Sequence, residues 1–302
     1  MYGFLNVLKP PGMTSHDLVA FLRKLLKMRK IGHSGTLDPN AAGVMVLALG
    51  QATRLLEYLK SDTKKYIGLI RLGITTDTYD ADGIITSTCP EKKVSLTELE
   101  EVVASFQGVQ EQKPPLVSAI RVNGKRLYQY ARSGQEVEVP TRQVEITEIR
   151  IKPLSQKKVF GYNDLVRIAV TCSKGTYIRS LAHDIGVRCG LGAHLAALLR
   201  TESDGFAVAD TLTLDELQAV VSGDFLADKV VPPHKVLGFP VVELSSSEAG
   251  TVVNGNQIRA REEASSGTLF SLVYNERLLA VAEYRPGGRA GILQPVKVMP
   301  GD

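Results

Sequence analysis

Apolar residues recur along the chain with two different periods. In residues 16–28, HDLVAFLRKLLKM, the positions Leu18, Val19, Leu22, Leu25 and Leu26 form one helical stripe, and Thr14 or Ser15 precedes it as a cap. The run VMVLAL, residues 44–49, is apolar throughout and closed by Gly50, which predicts a buried strand. QATRLLEYL then predicts a helix, and YIGLIRLG (66–73) a strand. SLTELEEVVASF carries a capping box, Ser95 with Glu98, and an apolar face of Leu96, Leu99, Val102, Val103 and Phe106, with Gly108 as its stop. LVSAIRVNGKRL holds an Asn-Gly hairpin turn. QVEITEIRI and DLVRIAVTC alternate as strands, and TYIRSLAHDIGVRCG predicts a helix ending at Gly190.

Strands and helices interleave, yet hairpins are common. The expected class is α+β with a mixed, largely antiparallel sheet flanked by helices, not a doubly wound parallel sheet. VVPPHKVLGFPVVEL marks a boundary near Gly238. The expected division is a first domain over 1–238 and a small β-rich module over 239–302. That module has short strands over 268–274 and 277–284 joined by Asn-Glu, then Pro286-Gly287-Gly288 and another strand.

Composition adds bounds. The chain is 44% hydrophobic and 23% charged, ordinary for a globular protein with a sizeable core. No apolar run approaches the roughly 20 residues a membrane span needs, and no secretory signal is visible, so no membrane association is expected. Cys89, Cys172 and Cys189 are odd in number and widely spaced, which fits neither a disulfide framework nor a zinc site. A reducing cytoplasm follows. The net charge of +4 is unevenly placed. Lys9, Arg23, Lys24, Lys27, Arg29, Lys30, Arg54 and Lys60 crowd the first sixty residues. Arg121, Lys125, Arg126 and Arg132 follow in RVNGKRLYQYARSG. Basic clusters interleaved with tyrosines suit a polyanion-binding face, although a solvated helix face has the same composition.

Candidate chemistry concentrates in GHSGTLDPNAAGVMVLALG, Gly32 to Gly50. Pro39 pushes Asp38 into extended conformations, and Gly35 and Gly43 allow sharp bends or close approach. An Asp-Pro in a loop is usually a turn, but a loop against a buried strand is rigid and carries functional groups well. In SKGTYIRSLAHD, Lys174 and Arg179 stand before and inside the first turn of a helix, the wrong end for cations. They imply an anion nearby, either a phosphate or a carboxylate from elsewhere in the fold. DTYDADG (77–83) fails as a calcium loop, because Thr78 and Cys89 stand where acids are required. Scattered Ser, His and Asp lack the G-x-S-x-G elbow of a hydrolase. His183 and His194 read as structural. There is no phosphate loop, dinucleotide fingerprint or H-E-x-x-H motif.

Five ordered segments resemble one family: LNVLKPPGMTSHD, GHSGTLDPNAAGVMVLALGQATR, KKYIGLIRLGITTDTYDADG, PPLVSAIRVNGKRLYQYARSG and SKGTYIRSLAHDIG. They are similar to the TruB family, the bacterial tRNA pseudouridine-55 synthases. LSSSEAGTVVNGNQIRA onward resembles, more weakly, the PUA-like RNA-binding module that often follows. The resemblance implies a pseudouridine-synthase fold and a monomeric, cofactor-free and metal-free enzyme. Such an enzyme isomerises uridine in the T stem-loop of tRNA by flipping the base out. It further implies that Asp38 is the catalytic carboxylate, Arg179 its ion-pair partner and Tyr66 the aromatic platform for the base. Tyr177 would flank the pocket, Leu198 line it, His33 hold the distorted T-loop, and Lys9 support the active-site loop. A cation beside Asp38 is expected to hold its pKa down. Whether Asp38 attacks C1′, attacks C6 or abstracts a ribose proton stays open. TESDGFAV, after Leu198, is more acidic than a surface next to RNA should be. In the tail, Arg259, Arg261, Arg285, Arg289 and Lys297 are candidates for phosphate contacts. A non-catalytic RNA-binding protein and a hydrolase of a small substrate are the competing classes. The intact Asp38, Tyr66 and Arg179 argue against the first, and the basic patches and RNA-binding-like tail against the second.

Overall fold

The computed structural model describes residues 2–59, 63–118, 120–133, 135, 137–152, 154, 156–287 and 290–299. Lys60, Gly288 and Arg289 lie outside the described residues, as does the side chain of Arg132. The main sheet contains β1 (Gly3–Lys9), β2 (Ile31–His33), β3 (Ala42–Leu49), β4 (Thr63–Leu72), β5 (Gly108–Gln112), β6 (Arg142–Lys152), β7 (Leu165–Ser173), β8 (Ala193–Ser203) and β9 (Phe206–Ala207). Its order is β1-β3-β8-β4-β7-β6-β5, with β2 also on β3 and β9 on β8. The β3–β8 pair is parallel and the other pairs are antiparallel, the mixed sheet expected from the hairpin-rich sequence.

Helices α1 (Ser15–Leu25), α2 (Leu96–Ala104) and α3 (Ile178–Arg188) bury their stripes against this sheet. Leu18, Leu22, Leu99, Val103, Leu181 and Ile185 share a core with Leu5, Val7, Met45, Leu47, Ile70, Leu72 and Ile168. Thr14 caps α1 and Ser95 caps α2, each completing a capping box with the residue three positions on. Gly50–Tyr58 is a 3₁₀ helix. Its buried Ala52 and Leu55 stand three apart, the spacing of a three-residue turn.

The C-terminal residues form a second, five-stranded sheet from β10 (Val241–Glu243), β11 (Ile258–Arg259), β12 (Leu269–Tyr274), β13 (Arg277–Arg285) and β14 (Ile292–Val298). Asn275 and Glu276 join β12 to β13 with φ of 49° and 59°, the left-handed pair of a type I′ hairpin turn. This module does not hang free. Strand β3 is buried on both faces: Met45, Leu47 and Leu49 face the helical core, while Val44, Val46 and Ala48 pack with Leu237, Phe239, Val273, Leu278, Val281 and Met299.

Among the described residues no helix is long and apolar enough to cross a membrane.

Candidate active site

The loop from Ser34 to Ala41 leaves β2 and returns into β3, and polar staples fix it along its length. At its start Ser34 N donates to Val46 O (3.1 Å), and Ser34 Oγ donates to Asp204 Oδ2 (2.6 Å). Arg200 Nη2 then donates to Gly35 O (3.1 Å). The buried Ser15 hydroxyl accepts from Leu37 N (2.9 Å) and donates to Leu37 O (3.1 Å). Lys9, fully buried, donates to Pro39 O (2.9 Å), Pro10 O (2.9 Å) and Met13 O (2.6 Å). Asp38 thus stands between two anchored neighbours, Leu37 and Pro39. Burial pushes the Lys9 ammonium down to about 8, with the charge of Asp38 opposing the fall.

The loop enters β3 at Gly43, where strand β8 runs alongside in parallel, Gly43 opposite Arg200. Gly43 has φ of +124°, and a Cβ on it would sit 2.2 Å from Arg200 O and 2.6 Å from Arg200 N. Only glycine permits this approach.

Arg179 lies in the first turn of α3 and is 4% exposed. Its Nη2 donates to Asp38 Oδ1 (3.0 Å) and to Val117 O (2.9 Å). Its Nε stands 2.9 Å from Asp38 Oδ2, close enough to pair electrostatically but not aligned as a hydrogen bond. Nη1 donates to Thr78 O (3.2 Å) and lies 3.4 Å from Asp80 Oδ2. One guanidinium therefore joins four segments, which is what places a cation at the unfavourable end of a helix.

Asp38 keeps 42% of its side-chain surface open, so a substrate can reach it. Enclosure by the surrounding protein pushes its carboxyl above the ordinary 3.8, Arg179 opposes the rise, and Asp80 adds to it. The expected depression by the cation is thus overturned, because desolvation outweighs the pair.

Asp38, Arg179 and Leu198 form a wall shared by two clefts. One cleft is further lined by Tyr66, Tyr177, Lys64, Lys174 and Arg200, so with Asp38, Arg179 and Leu198 it brings together five of the seven residues that the resemblance assigns to the site. The other is lined by Asp80, Asp82 and small apolar residues of β8. Burial holds the Tyr66 phenol up at about 12, so it stays protonated and its hydroxyl is a donor. Lys9 and His33 line neither cleft. Burial, then the nearby His16, lowers the His33 ring below its ordinary value of 6.5. His194 is buried with Nδ1 2.8 Å from Ile74 O, and His183 stacks on Tyr79 at 3.9 Å. Among the described residues no group of three His, Cys, Asp or Glu is placed to hold a metal ion.

Three features escaped sequence reasoning. Asp80, in a segment that fails as a calcium loop and has no assigned role in the site, reaches Arg179 through a turn in which its Oδ1 accepts from Thr78 Oγ1 and Asp82 N. Arg200 and Ser15 hold the loop from elements with no local signal of that role. The acids after Leu198 are partnered within the protein: Glu202 pairs with Lys65 at 2.7 Å, and Asp204 lies 3.8 Å from Lys64. In the tail, Arg261 is held by Glu243 O and Glu248, Arg285 by Glu283, and Lys297 by Glu57. Arg259 and the hairpin cations Arg121, Lys125 and Arg126 are exposed.

Residues 23–178 match the family model described as TruB family pseudouridylate synthase (N terminal domain). Residues 179–236 match that of the tRNA pseudouridylate synthase B C-terminal domain. The tRNA pseudouridine synthase B of Geobacillus thermodenitrificans is 42% identical over 303 residues, 99% of this chain and 99% of that protein. Its counterpart in Heliobacterium modesticaldum is 42% identical over 300 residues, 98% and 95% of the two chains. A solved Cbf5-Nop10-Gar1 complex contains a chain with TM-score 0.71 and 27% identity, covering 99% of this chain and 85% of that one. A second chain, from an H/ACA RNP bound to a substrate RNA containing 2′-deoxyuridine, shares the fold with TM-score 0.73 at 24% identity, again covering 99% and 85%. Fold and matches define an isomerase of the pseudouridine synthase class. Within that class, the chain belongs to the TruB family.

Proposed function

We propose that the protein converts uridine to pseudouridine at position 55, in the T-loop of tRNA, with Asp38 as the essential carboxylate and the target base flipped into the cleft beside Tyr66. The observation that carries this reading is the reachable Asp38 carboxylate held by Arg179 on a cleft walled by Tyr66, Tyr177 and Leu198. The relatives named tRNA pseudouridine synthase B support the substrate.

The reaction breaks the N1–C1′ bond, turns the ring and forms a C5–C1′ bond. N1 gains a proton and C5 loses one, so atoms balance without any outside reagent. In its ionised form Asp38 serves as nucleophile or base at the sugar or ring. Arg179 fixes both carboxylate oxygens, and the anchored loop fixes the backbone beneath them. Tyr66 gives the flipped base an aromatic face, and Leu198 excludes water beside it. Lys9 acts through Pro39, as a positioning residue. His33, outside the cleft, remains available to the RNA around the flipped nucleotide. We further take the protein to be a monomer, as the family resemblance implies, and cytoplasmic, since its three cysteines are free thiols. Residues 1–238 are the catalytic domain in this reading and residues 239–302 a PUA-like RNA-binding module.

The test is incubation with unmodified tRNA transcript followed by mapping of pseudouridine. Modification confined to position 55 supports the reading; modification elsewhere, or none, refutes it.

A further inference from the structure

The cleft beside Tyr66 has a floor with more positive charge than its protein partners neutralise. Arg200 is 1% exposed. Its donors reach Val44 O (2.8 Å), Gly35 O (3.1 Å) and Met45 Sδ (3.8 Å), and among the described residues no carboxylate lies within 4.0 Å of it. Lys64, 9% exposed, donates to Ser203 Oγ (2.9 Å) and lies 3.8 Å from Asp204 Oδ2. That carboxylate is also shared with the hydroxyls of Ser34 (2.6 Å) and Ser203 (2.8 Å). Two buried cations therefore share one acid. Burying a charge without a counter-ion costs free energy, and an anionic ligand is what would offset it.

The same floor is open in the right place. A Cβ on Gly35 would lie 3.1 Å from Lys64 Nζ and 3.5 Å from Arg200 Nη1. The missing side chain leaves both cationic groups facing the cleft, between the catalytic loop and strand β4. Lys174 lines the same cleft from the other side. The contrast across Asp38 is sharp: the second cleft has Asp38, Asp80 and Asp82 against Arg179 alone. A polyanion is drawn to one side of the catalytic carboxylate and repelled from the other.

We propose that Lys64 and Arg200, both beside Gly35, seat a backbone phosphate adjacent to the flipped uridine and so direct that nucleotide to the Tyr66 side of Asp38. This rests on the reading of the protein as an RNA uridine isomerase. The seat is electrostatic and blind to sequence; it positions the nucleotide while Tyr66 and Leu198 receive the base.

The test changes the substrate first, which leaves the fold untouched. Stem-loop RNAs carry a neutral methylphosphonate at one or the other linkage flanking the target uridine. Binding and single-turnover pseudouridine formation are then measured across a salt series. With the wild-type protein, one of the two RNAs should bind about 10-fold more weakly, with the salt slope reduced by roughly 0.7. Lys64→Met should bind the unmodified RNA about 10-fold more weakly and show no more than a further 2-fold loss on that methylphosphonate RNA. Gly35→Ala, which covers the seat while keeping both charges, should behave in the same way and stands in if Lys64→Met does not fold. Full wild-type affinity for both neutral RNAs would overturn the proposal. So would independent, multiplying losses in the variants, which would place the phosphate elsewhere. Failure of the wild type on unmodified RNA would instead remove the functional reading itself.

Discussion

At the scale of single residues, the site turns on a carboxylate whose surroundings work against its ionisation and a cation that opposes them. In the proposed reaction Asp38 acts in its ionised form, and its pKa is raised above 3.8 by desolvation. Activity is therefore lost as pH falls through a value above 3.8. Single-turnover rates should show that acid limb; a midpoint at or below 3.8 would contradict the assignment. At the unfavourable end of its own helix, Arg179 implies an anion nearby but gives no sign of how much of the fold it ties together. In the structure it satisfies Val117 O and Thr78 O and pairs two carboxylates. Arg179→Ala should thus cost about 3 kcal/mol of stability as well as more than about 100-fold in rate. Arg179→Lys should recover much of the stability and little of the rate, because an ammonium cannot span both oxygens. Urea unfolding beside single-turnover kinetics decides; an Ala variant with wild-type rate would refute the pairing role. Asp38, Arg179 and Tyr66 could be picked as candidates from ordered motifs, and the structure brings them to one cleft. Asp80 lies in one of those motifs as well, KKYIGLIRLGITTDTYDADG, but nothing local tells which of its three acids meets Arg179.

At the scale of elements, alternation, capping boxes and Asn-containing turns placed α1, α2, α3, β3, β4, β6, β7 and the β12–β13 hairpin, but β1, β2, β5 and the central strand β8 carry no such local signal and went unread. Thr14 and Asp17, Ser95 and Glu98, and Asn275-Glu276 each close a local structure by local hydrogen bonds or local φ. The parallel contact between β3 and β8 has no such local cause and could not be read in advance. It depends on Gly43 meeting the backbone of Arg200, more than 150 residues on. Gly43→Ala forces a side chain into left-handed backbone and into Arg200 O at 2.2 Å. A loss of about 3 kcal/mol or more is expected in urea unfolding, together with loss of activity as the Asp38 loop shifts. A stable, active Gly43→Ala protein would show that this contact does not set the loop.

At the scale of the whole molecule, the two sheets share one apolar interface, and the strand that follows the Asp38 loop lies in it. The prolines near residue 232 suggested a separable module; the linker can be seen in sequence, but the face it closes cannot. Phe4, Val44, Val46, Ala48, Ala52 and Leu55 are fully buried against that module. Exposing them forfeits roughly 1.5–3 kcal/mol for each large side chain. Residues 1–238 alone should therefore aggregate or melt far below the full chain in light scattering and thermal unfolding. A soluble, cooperative 1–238 fragment would contradict this. The role of the tail in RNA binding is then tested on the intact chain, at the exposed Arg259, and not by truncation. The most direct test of the account as a whole is release of tritium from full-length tRNA labelled at C5 of uracil, compared between wild type and Asp38→Asn, with tRNA affinity measured alongside. The wild type should release one tritium per tRNA, from position 55. For Asp38→Asn it predicts a rate below about 1% of wild type with affinity unchanged within a few-fold, the loss of an essential catalytic group. Release by Asp38→Asn near the wild-type rate would contradict it.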